Sequence, residues 1–153
     1  MNETNRISIN NAGLIILAPF LPAYFERLSL VANGKFVSYE SQNRALFLLQ
    51  HLVFDIFYED VLALNKIMVG LPLDAPEQFI FTISQAEKEM SASLLNAFRS
   101  NWDKVQNTSI SGIQESFLQR DGLISFNQDL FILTVDRKSI DILMQTIPWN
   151  FNL

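Results

Sequence analysis

The clearest hydrophobic pattern in the chain lies between Ser38 and Phe54. Either Ser38 or Ser41 is a suitable N-cap, because a serine hydroxyl accepts a hydrogen bond from the first turn of a helix. Beyond this cap the residues are mostly apolar, and the polar side chains fall in one narrow stripe: Asn43, Arg44, Gln50, His51 and Asp55. A helix with so little polar surface lies at the centre of a core or beneath a partner. The pattern therefore predicts a central helix that ends near Phe54.

Upstream of this helix, the sequence predicts two short helices and a turn. Asn11 is the expected N-cap of a helix over residues 13–18. We expect Pro19 to end or kink that helix, because proline lacks a backbone N–H. A second proline suits the first turn of the next helix, residues 22–28. The Asn-Gly pair at residues 33–34 is a turn signal.

Two further helices are predicted in the middle of the chain. Residues 59–69 form the first, which Gly70 stops, and residues 71–78 form a proline-containing loop. The second opens at residues 84–87 (Ser-Gln-Ala-Glu), a capping box in which the Ser and Glu side chains satisfy two backbone donors. Apolar side chains then recur at helical spacing: Met90, Leu94, Ala97, Phe98, Trp102 and Val105.

The last third of the chain predicts one more capped helix. Thr108 or Ser109 is the expected cap, and the apolar face consists of Ile110, Ile113 and Phe117. We expect Gly112 to let another backbone approach this helix closely. We expect Gly122 to end the helix with a positive φ, which glycine adopts without strain.

After this helix, residues 123–126 and 130–135 read as the two strands of a β-hairpin around the polar residues 127–129. Pro148 closes a last short helix that carries Ile140, Leu143, Met144 and Ile147. The predicted fold is mainly α, of the α+β class: a compact bundle of five to seven helices with a C-terminal β-hairpin followed by a short helix. Residues 1–8 are expected to be a flexible or extended arm, and residues 9–153 a single domain.

Composition adds that this domain is unusually apolar. Apolar residues make up 49% of the chain and charged residues 18%, with 13 Phe among the aromatic residues. Average proteins carry about 25% charged residues. The excess of apolar surface predicts that some of it faces a protein partner, a larger parent chain or a second copy.

Charge and hydropathy exclude several other classes. A net charge of −5 argues against a nucleic-acid partner, which requires a clustered basic face. The longest apolar run, residues 45–58, is interrupted by polar residues and predicts no membrane span. The polar first residues form no secretory signal, and the absence of cysteine excludes disulfides and thiolate metal sites. We expect a protein that folds in a bacterial cytosol.

Candidate catalytic groups are few, and each has a simpler structural explanation. His51 is the sole histidine and could act as a general base with Asp55 one helical turn on, yet a half-buried place in the polar stripe is the favoured interpretation. Two carboxylate pairs, Glu59 with Asp60 and Glu87 with Glu89, lie at predicted helix starts, where negative charge is stabilised. There is no nucleophile elbow and no phosphate loop. We therefore predict no catalytic residue, no cofactor and no metal.

Candidate partner-binding residues lie in two places. Gln114, Gln119, Arg120 and Asp121 surround the end of the helix that follows Ser109, where they could present polar contacts to a partner. The simpler interpretation, which we favour, is a helix with well-formed ends. Phe47 and Leu48 are apolar candidates on the predicted central helix.

Two dense segments carry a family resemblance: residues 10–22 (NNAGLIILAPFLP), here called the first signature, and residues 107–122 (NTSISGIQESFLQRDG), the second signature. Further matching elements follow in family order: Arg44-Ala45, residues 48–50, residues 64–66, residues 70–73, Leu94-Leu95, Trp102 and residues 147–149. From about residue 9 to residue 149, the chain resembles the tape measure proteins of phage-tail-like contractile injection systems.

This resemblance implies a structural role and not a catalytic one. A tape measure protein runs inside the growing inner tube and sets its length, with one end held at the baseplate hub or spike. The resemblance implies a module that docks on the hub, spike or tube initiator, and a homo-oligomer, expected as a trimer because such spike complexes are commonly trimeric. We expect assembly in the bacterial cytoplasm and then incorporation into the particle.

The family pattern also includes a long variable ruler. A helical ruler gains ~1.5 Å per residue, so a compact domain of 153 residues cannot span a long tube. We expect either an excised anchoring domain or a short homologue with another assembly role. Two alternatives from other classes stay open: a cytosolic adaptor or chaperone that binds an amphipathic segment beside the helix over residues 45–57, and a hydrolase that relies on His51.

Overall fold

The computed structural model describes residues 5–54, 62–78, 82–127 and 130–135. In these ranges, five α-helices and shorter helical turns pack around one apolar core, with a small antiparallel sheet on one side. The sheet makes this an α+β fold and not an all-α one. The predicted final helix, with Ile140 and Pro148, lies outside the described residues, as does the turn at residues 128–129.

The chain opens with strand β1, Asn5–Ile9, followed by a 3-10 helix, Ala12–Phe20, and helix α1, Leu21–Arg27. Pro19 does not end the helix, which was one of its two predicted effects, because it lies inside the 3-10 helix, which continues directly into α1. Proline removes one backbone donor. Burial of the surrounding apolar residues holds this segment helical across the proline: Leu14, Ile16, Leu17 and Leu21.

A tight hairpin links α1 to the central helix. Strands β2, Val31–Ala32, and β3, Lys35–Phe36, pair in antiparallel fashion. The two residues between them, Asn33 and Gly34, have φ values of 54° and 76°. Positive φ at both positions is the geometry of a type I′ turn, which confirms the predicted turn.

Helix α2, Tyr39–Val53, is the central helix. Ser38 caps it by accepting a hydrogen bond from the Ser41 N–H, at 3.1 Å. The predicted capping and length are confirmed, and α2 packs against α4, α3 and the 3-10 helix. Its apolar side chains are almost fully buried: Ala45, Leu46, Phe47, Leu48, Leu49, Leu52 and Val53.

Helix α3, Ala63–Met68, ends before Gly70, whose φ of 79° stops the helix as predicted. The predicted start of this helix, with Glu59 and Asp60, lies outside the described residues. Residues 71–78 run without regular structure to the next gap, in agreement with the predicted loop.

Helix α4, Gln85–Ser100, opens with the predicted capping box, in which both reciprocal hydrogen bonds of Ser84 and Glu87 are present. The helix ends at Ser100 and not at residue 105, because Trp102 adopts an extended backbone with φ −130°. The Trp102 ring nevertheless stays buried, with its centroid 5.8 Å from that of Phe98 and 5.0 Å from that of Phe117. The periodic burial therefore continues past the end of the helix.

The C-terminal part contains a short 3-10 turn, Asp103–Val105, helix α5, Ile110–Ile113, and a π-helix, Gln114–Leu118. Ser109 caps α5, as predicted, by accepting the Gly112 N–H at 3.0 Å. The next two elements are strands β4, Gly122–Asn127, and β5, Leu130–Val135.

Strands β4 and β5 form the predicted hairpin, and β1 completes a three-stranded sheet in the order β1-β4-β5. In this register Ile7 lies opposite Ile124, and Ile124 lies opposite Leu133. Ile124 is 1% exposed, so this face of the sheet covers the core. The sequence predicted an extended start to the chain, but not its pairing with β4. The division into an arm of residues 1–8 and a domain of residues 9–153 stays a prediction.

Candidate functional site

The structure brings the two signatures together. The N–H of Ala12, in the first signature, donates to the Arg120 carbonyl, in the second, at 2.9 Å. One step earlier along the chain, Ile9 pairs with Gly122 between β1 and β4. We use the term signature core for residues 10–22 and 107–122 together with Gln50 and Asn65, whose side chains bind Asn11 of the first signature.

Gly13 is the point of closest approach within the signature core. A Cβ atom added at Gly13 would lie 1.7 Å from the Phe117 carbonyl oxygen and 2.7 Å from the Leu118 Cα. Neither neighbouring atom belongs to a flexible side chain, so only glycine fits. The 3-10 helix and the π-helix therefore pack backbone against backbone.

The sequence led us to expect this close approach at Gly112, and the structure corrects that prediction. A Cβ at Gly112 would meet only Ser109 Oγ and Thr108 Cγ2, each at 3.0 Å, and both belong to its own helix start. Gly112 is half-exposed, whereas Gly13 is buried between two backbones. Burial between two elements, and not membership of a helix, decides which glycine is required.

The expected positive φ at Gly122 is also wrong. The positive-φ glycines are Gly34 and Gly70, whereas Gly122 begins β4. The helical segment ends three residues earlier, at Gln119, with φ −82°. A Cβ at Gly122 would lie 2.5 Å from the Thr134 carbonyl oxygen and 2.7 Å from Ala12 Cβ. Close packing, not backbone conformation, excludes a side chain at this position.

Asn11 occupies the centre of a buried amide cluster. Its Nδ2 donates to Gln50 Oε1 at 3.0 Å and to Asn65 Oδ1 at 2.8 Å, across 39 and 54 residues of sequence. Asn65 Nδ2 in turn donates to the Leu46 carbonyl at 2.8 Å and to Gln50 Oε1 at 3.3 Å. The three amide side chains are at most 5% exposed. Mutual hydrogen bonds are what make such burial tolerable.

This cluster corrects the predicted role of Asn11 as an N-cap. Its side chain makes no capping hydrogen bond to the 3-10 helix. Both N–H donors of the Asn11 amide are used by Gln50 and Asn65 instead, which ties the first signature to α2 and α3. Two residues of the predicted polar stripe of α2, Asn43 and Gln50, likewise form hydrogen bonds within the fold. Asn43 donates to the Gln78 carbonyl and accepts from the Gln78 N–H.

Gln114 and Gln119 cap the end of α2. Gln114 Nε2 donates to the Leu52 carbonyl at 3.0 Å, and Gln119 Nε2 to the Val53 carbonyl at 2.8 Å. The last carbonyls of a helix have no partner within it, so these two side chains supply one. The π-turn closed by the Gln119 N–H and the Gln114 carbonyl, at 2.7 Å, holds both glutamines beside α2.

The other candidate partner-binding residues are mostly buried as well. Arg120 is 2% exposed, and its Nε and Nη2 donate to the Ser116 carbonyl at 3.1 and 2.8 Å. Its guanidinium lies 5.9 Å from the centre of the Phe117 ring. Phe47 and Leu48 belong to the core, at 4% and 0% exposed. Of the six candidates, Asp121 is exposed and Gln119 is half-buried.

These placements show internal roles for five of the six residues. Partner binding by Gln114, Gln119, Arg120, Asp121, Phe47 and Leu48 stays a prediction. The sequence did contain the signal for the internal roles, since isolated Asn and Gln residues within apolar segments need buried partners.

A second polar group joins α1, α2 and α4 away from the signatures. Arg44 donates from Nε and Nη2 to the two carboxylate oxygens of Glu87. The Tyr24 hydroxyl lies 2.7 Å from Ser91 Oγ, which donates to the Glu87 carbonyl at 2.7 Å. Burial raises the pKa of Tyr24 to about 12, so its hydroxyl stays protonated at neutral pH.

Glu87 carries a shifted pKa of its own. Burial by itself would raise the pKa of its carboxyl, but hydrogen bonds from Arg44 and from Ser84 outweigh this effect. The net result is a pKa below the ordinary value for glutamate. The pair is a structural ion pair with a bidentate geometry, which is the stronger form of such contacts.

The candidate catalytic groups do not converge. His51 lies half-buried in the last turn of α2, and Asp55, Glu59 and Asp60 fall outside the described residues. Glu87 is engaged by Arg44 and Ser84. Within residues 5–54, 62–78, 82–127 and 130–135, no group of three or more His, Asp or Glu side chains is placed to hold a metal ion.

Exposed apolar side chains concentrate on the sheet. Leu123, Phe131 and Ile132 are 36%, 47% and 52% exposed. Two more, Val37 and Tyr39, are exposed where β3 leads into α2. Leu123 belongs to β4, which begins at Gly122, the last residue of the second signature.

A shallow groove of about 220 Å³ runs between α1 and α4. Its lining comes from Pro19, Phe20, Ala23, Tyr24, Arg27, Met90, Ser93, Leu94 and Ala97. No residue of α2 lines it, so this groove is not the one expected beside the central helix.

None of the helices in the described part of the chain has the length and apolar character needed to cross a membrane.

Comparisons with known proteins identify the family. No curated protein and no solved structure matches the chain. The contractile injection system tape measure protein family matches residues 1–153, the whole of the sequence. The chain therefore belongs to the contractile injection system tape measure protein family.

Proposed function

We propose that this chain is an assembly module that docks on the baseplate hub, spike or tube initiator and helps to start or set the length of the inner tube. The tape measure family is a structural family of an injection particle and not a class of enzyme, so its partners are proteins of that particle. Docking at the baseplate is our step beyond this family assignment.

One observation carries the proposal: key residues of the two signatures are buried and make their contacts within the chain itself. Asn11, Gly13 and Gln114 make contacts within the chain that leave them no surface to offer. The signatures thus support a rigid domain, and docking falls to the exposed apolar residues of the sheet, Phe131 and Ile132. Exposed apolar groups that the fold does not need are typical of protein interaction sites.

The proposal is tested by deleting the chain from a cell that builds the particle. We expect few particles, or particles of irregular tube length, in electron micrographs. We also expect a tagged chain to co-purify with baseplate components, first in the bacterial cytoplasm and then in the finished particle. Particles of normal number and length without the chain would overturn the proposal.

A point variant separates docking from folding. Ile132→Lys places a charge on the exposed sheet surface and is expected to give a folded chain that no longer co-purifies with the baseplate. Val37→Lys is the matched control, because Val37 is 56% exposed and lies in the link between β3 and α2. Loss of co-purification with both variants would place docking elsewhere.

The groove between α1 and α4 supports a second candidate function, a cytosolic adaptor or chaperone for an amphipathic segment of an assembly partner. A helix could lay apolar side chains against Phe20, Met90 and Leu94. This function predicts a chain that is needed for assembly but is missing from the finished particle. Quantifying the chain in purified particles separates the two functions.

A further inference from the structure

The turn between β2 and β3 holds the sole Asn-Gly pair of the sequence, Asn33-Gly34. Asparagine is one of the thermolabile residues of proteins, because the backbone nitrogen of the next residue can attack its side-chain amide carbon. Glycine in the next position offers no Cβ to hinder this attack. Whether the attack takes place in a folded protein depends on how firmly the surrounding backbone is held.

The fold leaves this turn open to such an attack. Both Asn33 and Gly34 are exposed. The pairing of β2 with β3 ends at Ala32 and Lys35, so the two turn residues lie outside the paired residues of the ladder. A Cβ atom added at Gly34 would meet no atom within 4 Å, so the space around this glycine is free. The Asn33 side chain can therefore turn towards the Gly34 nitrogen without breaking the strand pairing.

A comparable sequence, Asp121-Gly122, is protected by the fold. Aspartate followed by glycine is also prone to close the same five-membered ring. Gly122, however, is buried between two strands, opposite Ile9 of β1 and Val135 of β5. Ring closure requires rotation of the backbone between the two residues, and a residue paired on both sides rotates only when the sheet opens locally. The structure thus separates two reactive sequences into an open one and a closed one.

We propose that Asn33 is a site of spontaneous deamidation. The Gly34 nitrogen gives its proton to hydroxide and bonds to Cγ of Asn33, while the bond from Cγ to Nδ2 breaks. Nδ2 leaves as ammonia after taking one proton from water, which restores the hydroxide. The product of this step is a cyclic imide. No residue of the proposed docking surface takes part, so this chemistry holds or fails independently of the baseplate proposal.

Water then opens the imide in one of two ways. Opening at Cγ gives aspartate on a normal backbone. Opening at the backbone carbonyl carbon of Asn33 gives isoaspartate, in which the chain runs through Cγ. In total one water is consumed and one ammonia is released, and nothing is oxidised or reduced.

The isoaspartyl product loosens the link between α1 and α2. It adds a carbon atom to the backbone of a two-residue turn whose positive φ values fit the type I′ geometry. The hairpin that this turn closes places Phe36 against Phe25 of α1, with ring centroids 5.4 Å apart. It also places the Val37 N–H 3.0 Å from the Leu30 carbonyl oxygen. The aspartyl product keeps the normal backbone, and Asp-Gly suits the same turn.

The first experiment incubates the purified full chain at neutral and at mildly alkaline pH and maps its peptides by chromatography and mass spectrometry. We expect Asn33 to be converted several times faster than any other asparagine, with the mass gain of an NH2 group replaced by OH. The conversion should be faster at the higher pH, because hydroxide removes the Gly34 proton. Asn33→Gly is the control, since it removes the amide and retains a favoured Gly-Gly turn, and its peptide should show no mass gain.

The same incubation in urea tests the role of the fold. Asp121 should form isoaspartate, recognised by its retention time, in the unfolded chain and several times more slowly in the folded chain. Asn33 should be converted in both. An Asn33 that reacts in urea but stays intact in the folded chain, or an Asp121 that reacts equally fast in both states, would overturn the proposal.

The second experiment tests the consequence for the hairpin. The isoaspartyl form is isolated from the aged chain, and its urea midpoint is compared with that of Asn33→Asp, which carries the same added charge on a normal backbone. We expect a lower midpoint for the isoaspartyl form and an unchanged midpoint for Asn33→Asp. Equal midpoints for both forms, whether lowered or unchanged, would contradict a loosening caused by the longer backbone.

Discussion

The signature core and the β5 edge are built on opposite principles. In the signature core, polar side chains such as Asn11 and Asn65 are buried and satisfied, and Gly13 permits contact between two backbones. At the β5 edge, apolar side chains such as Phe131 and Ile132 are exposed, and no charge is present in the strand. One region places polar groups inside, and the other places apolar groups outside.

This difference separates what identifies the family from what the chain can offer to a partner. The signatures are recognisable because their residues meet strict internal demands: a missing Cβ at Gly13, and amides of fitting length at Asn11 and Gln50. Buried amide networks are costly unless every member is satisfied. The residues that resemble the family therefore serve the fold, and our proposal assigns partner docking to the sheet.

The strongest test of the signature core is Gly13→Ala. The new Cβ would overlap the Phe117 carbonyl oxygen, at 1.7 Å in the present geometry. The two elements would have to separate, and we expect a loss of about 3 kcal/mol or more in the free energy of unfolding, or no folded protein. Urea denaturation of the purified chain measures this.

Gly112→Ala is the matched control for that substitution. Its Cβ meets only two side chains of its own turn, and alanine favours a helix over glycine by up to about 1 kcal/mol. We expect stability within about 1 kcal/mol of the original protein. A Gly13→Ala variant as stable as this control would show that the signatures are not held by backbone contact.

The second test removes one member of the amide cluster. Asn65→Leu removes the hydrogen bond that one Asn11 N–H donates and the one that the Leu46 carbonyl accepts from Asn65, in a buried site. We expect a loss of about 2–3 kcal/mol in the free energy of unfolding, since each unsatisfied buried group costs about 1–3 kcal/mol. Thermal and urea unfolding both report it.

Asn96→Leu serves as the control, because Asn96 is exposed on α4 and interacts with the neighbouring Arg99. Such surface changes usually stay within about 0.5 kcal/mol. Equal losses for the two variants would contradict the view that the buried cluster stabilises the fold.

Features that depend on neighbouring residues were predicted correctly from the sequence. Ser38, the capping box at Ser84 and the Asn33-Gly34 turn were predicted correctly, since each depends on contacts within a few residues. Local chemistry of this kind is written in the sequence beside the element that it shapes. The same is true of the hairpin β4–β5.

What failed depends on contacts that are distant in sequence. Asn11 looked like a cap because serine, asparagine and aspartate at a helix start usually are, but Gln50 and Asn65 take its side chain. The pairing of β1 with β4 and the roles of Gly13 and Gly122 likewise require knowing which elements meet. For the candidate site, the sequence located the signatures but could not show that they face inward.

A third prediction concerns acid stability and lies outside both regions. The pKa of Glu87 is lowered in the folded protein, so its stabilising effect is complete above the ordinary glutamate pKa and is lost as the pH falls through the lowered value. Arg44→Met removes the partner and should cost about 1 kcal/mol at neutral pH, because Arg44 is partly exposed. It should also flatten the decline of stability in acid, as measured by urea unfolding at a series of pH values. An unchanged acid profile would assign that decline to other carboxylates.

The smallest expected effect on folding is that of a substitution on strand β5, in contrast to the substitutions in the signature core. Ile132→Lys should change the free energy of unfolding of the monomer by less than about 0.5 kcal/mol, because the side chain is 52% exposed and leaves no cavity. The measurement is made on the purified chain at two concentrations, and equal values show that association does not contribute. A destabilisation near that of Asn65→Leu would mean that Ile132 helps to hold the fold, and the apolar edge would then need no partner to explain it. A neutral effect on folding, together with lost co-purification with the baseplate, is the result that assigns the exposed sheet residues to docking and the signature core to stability.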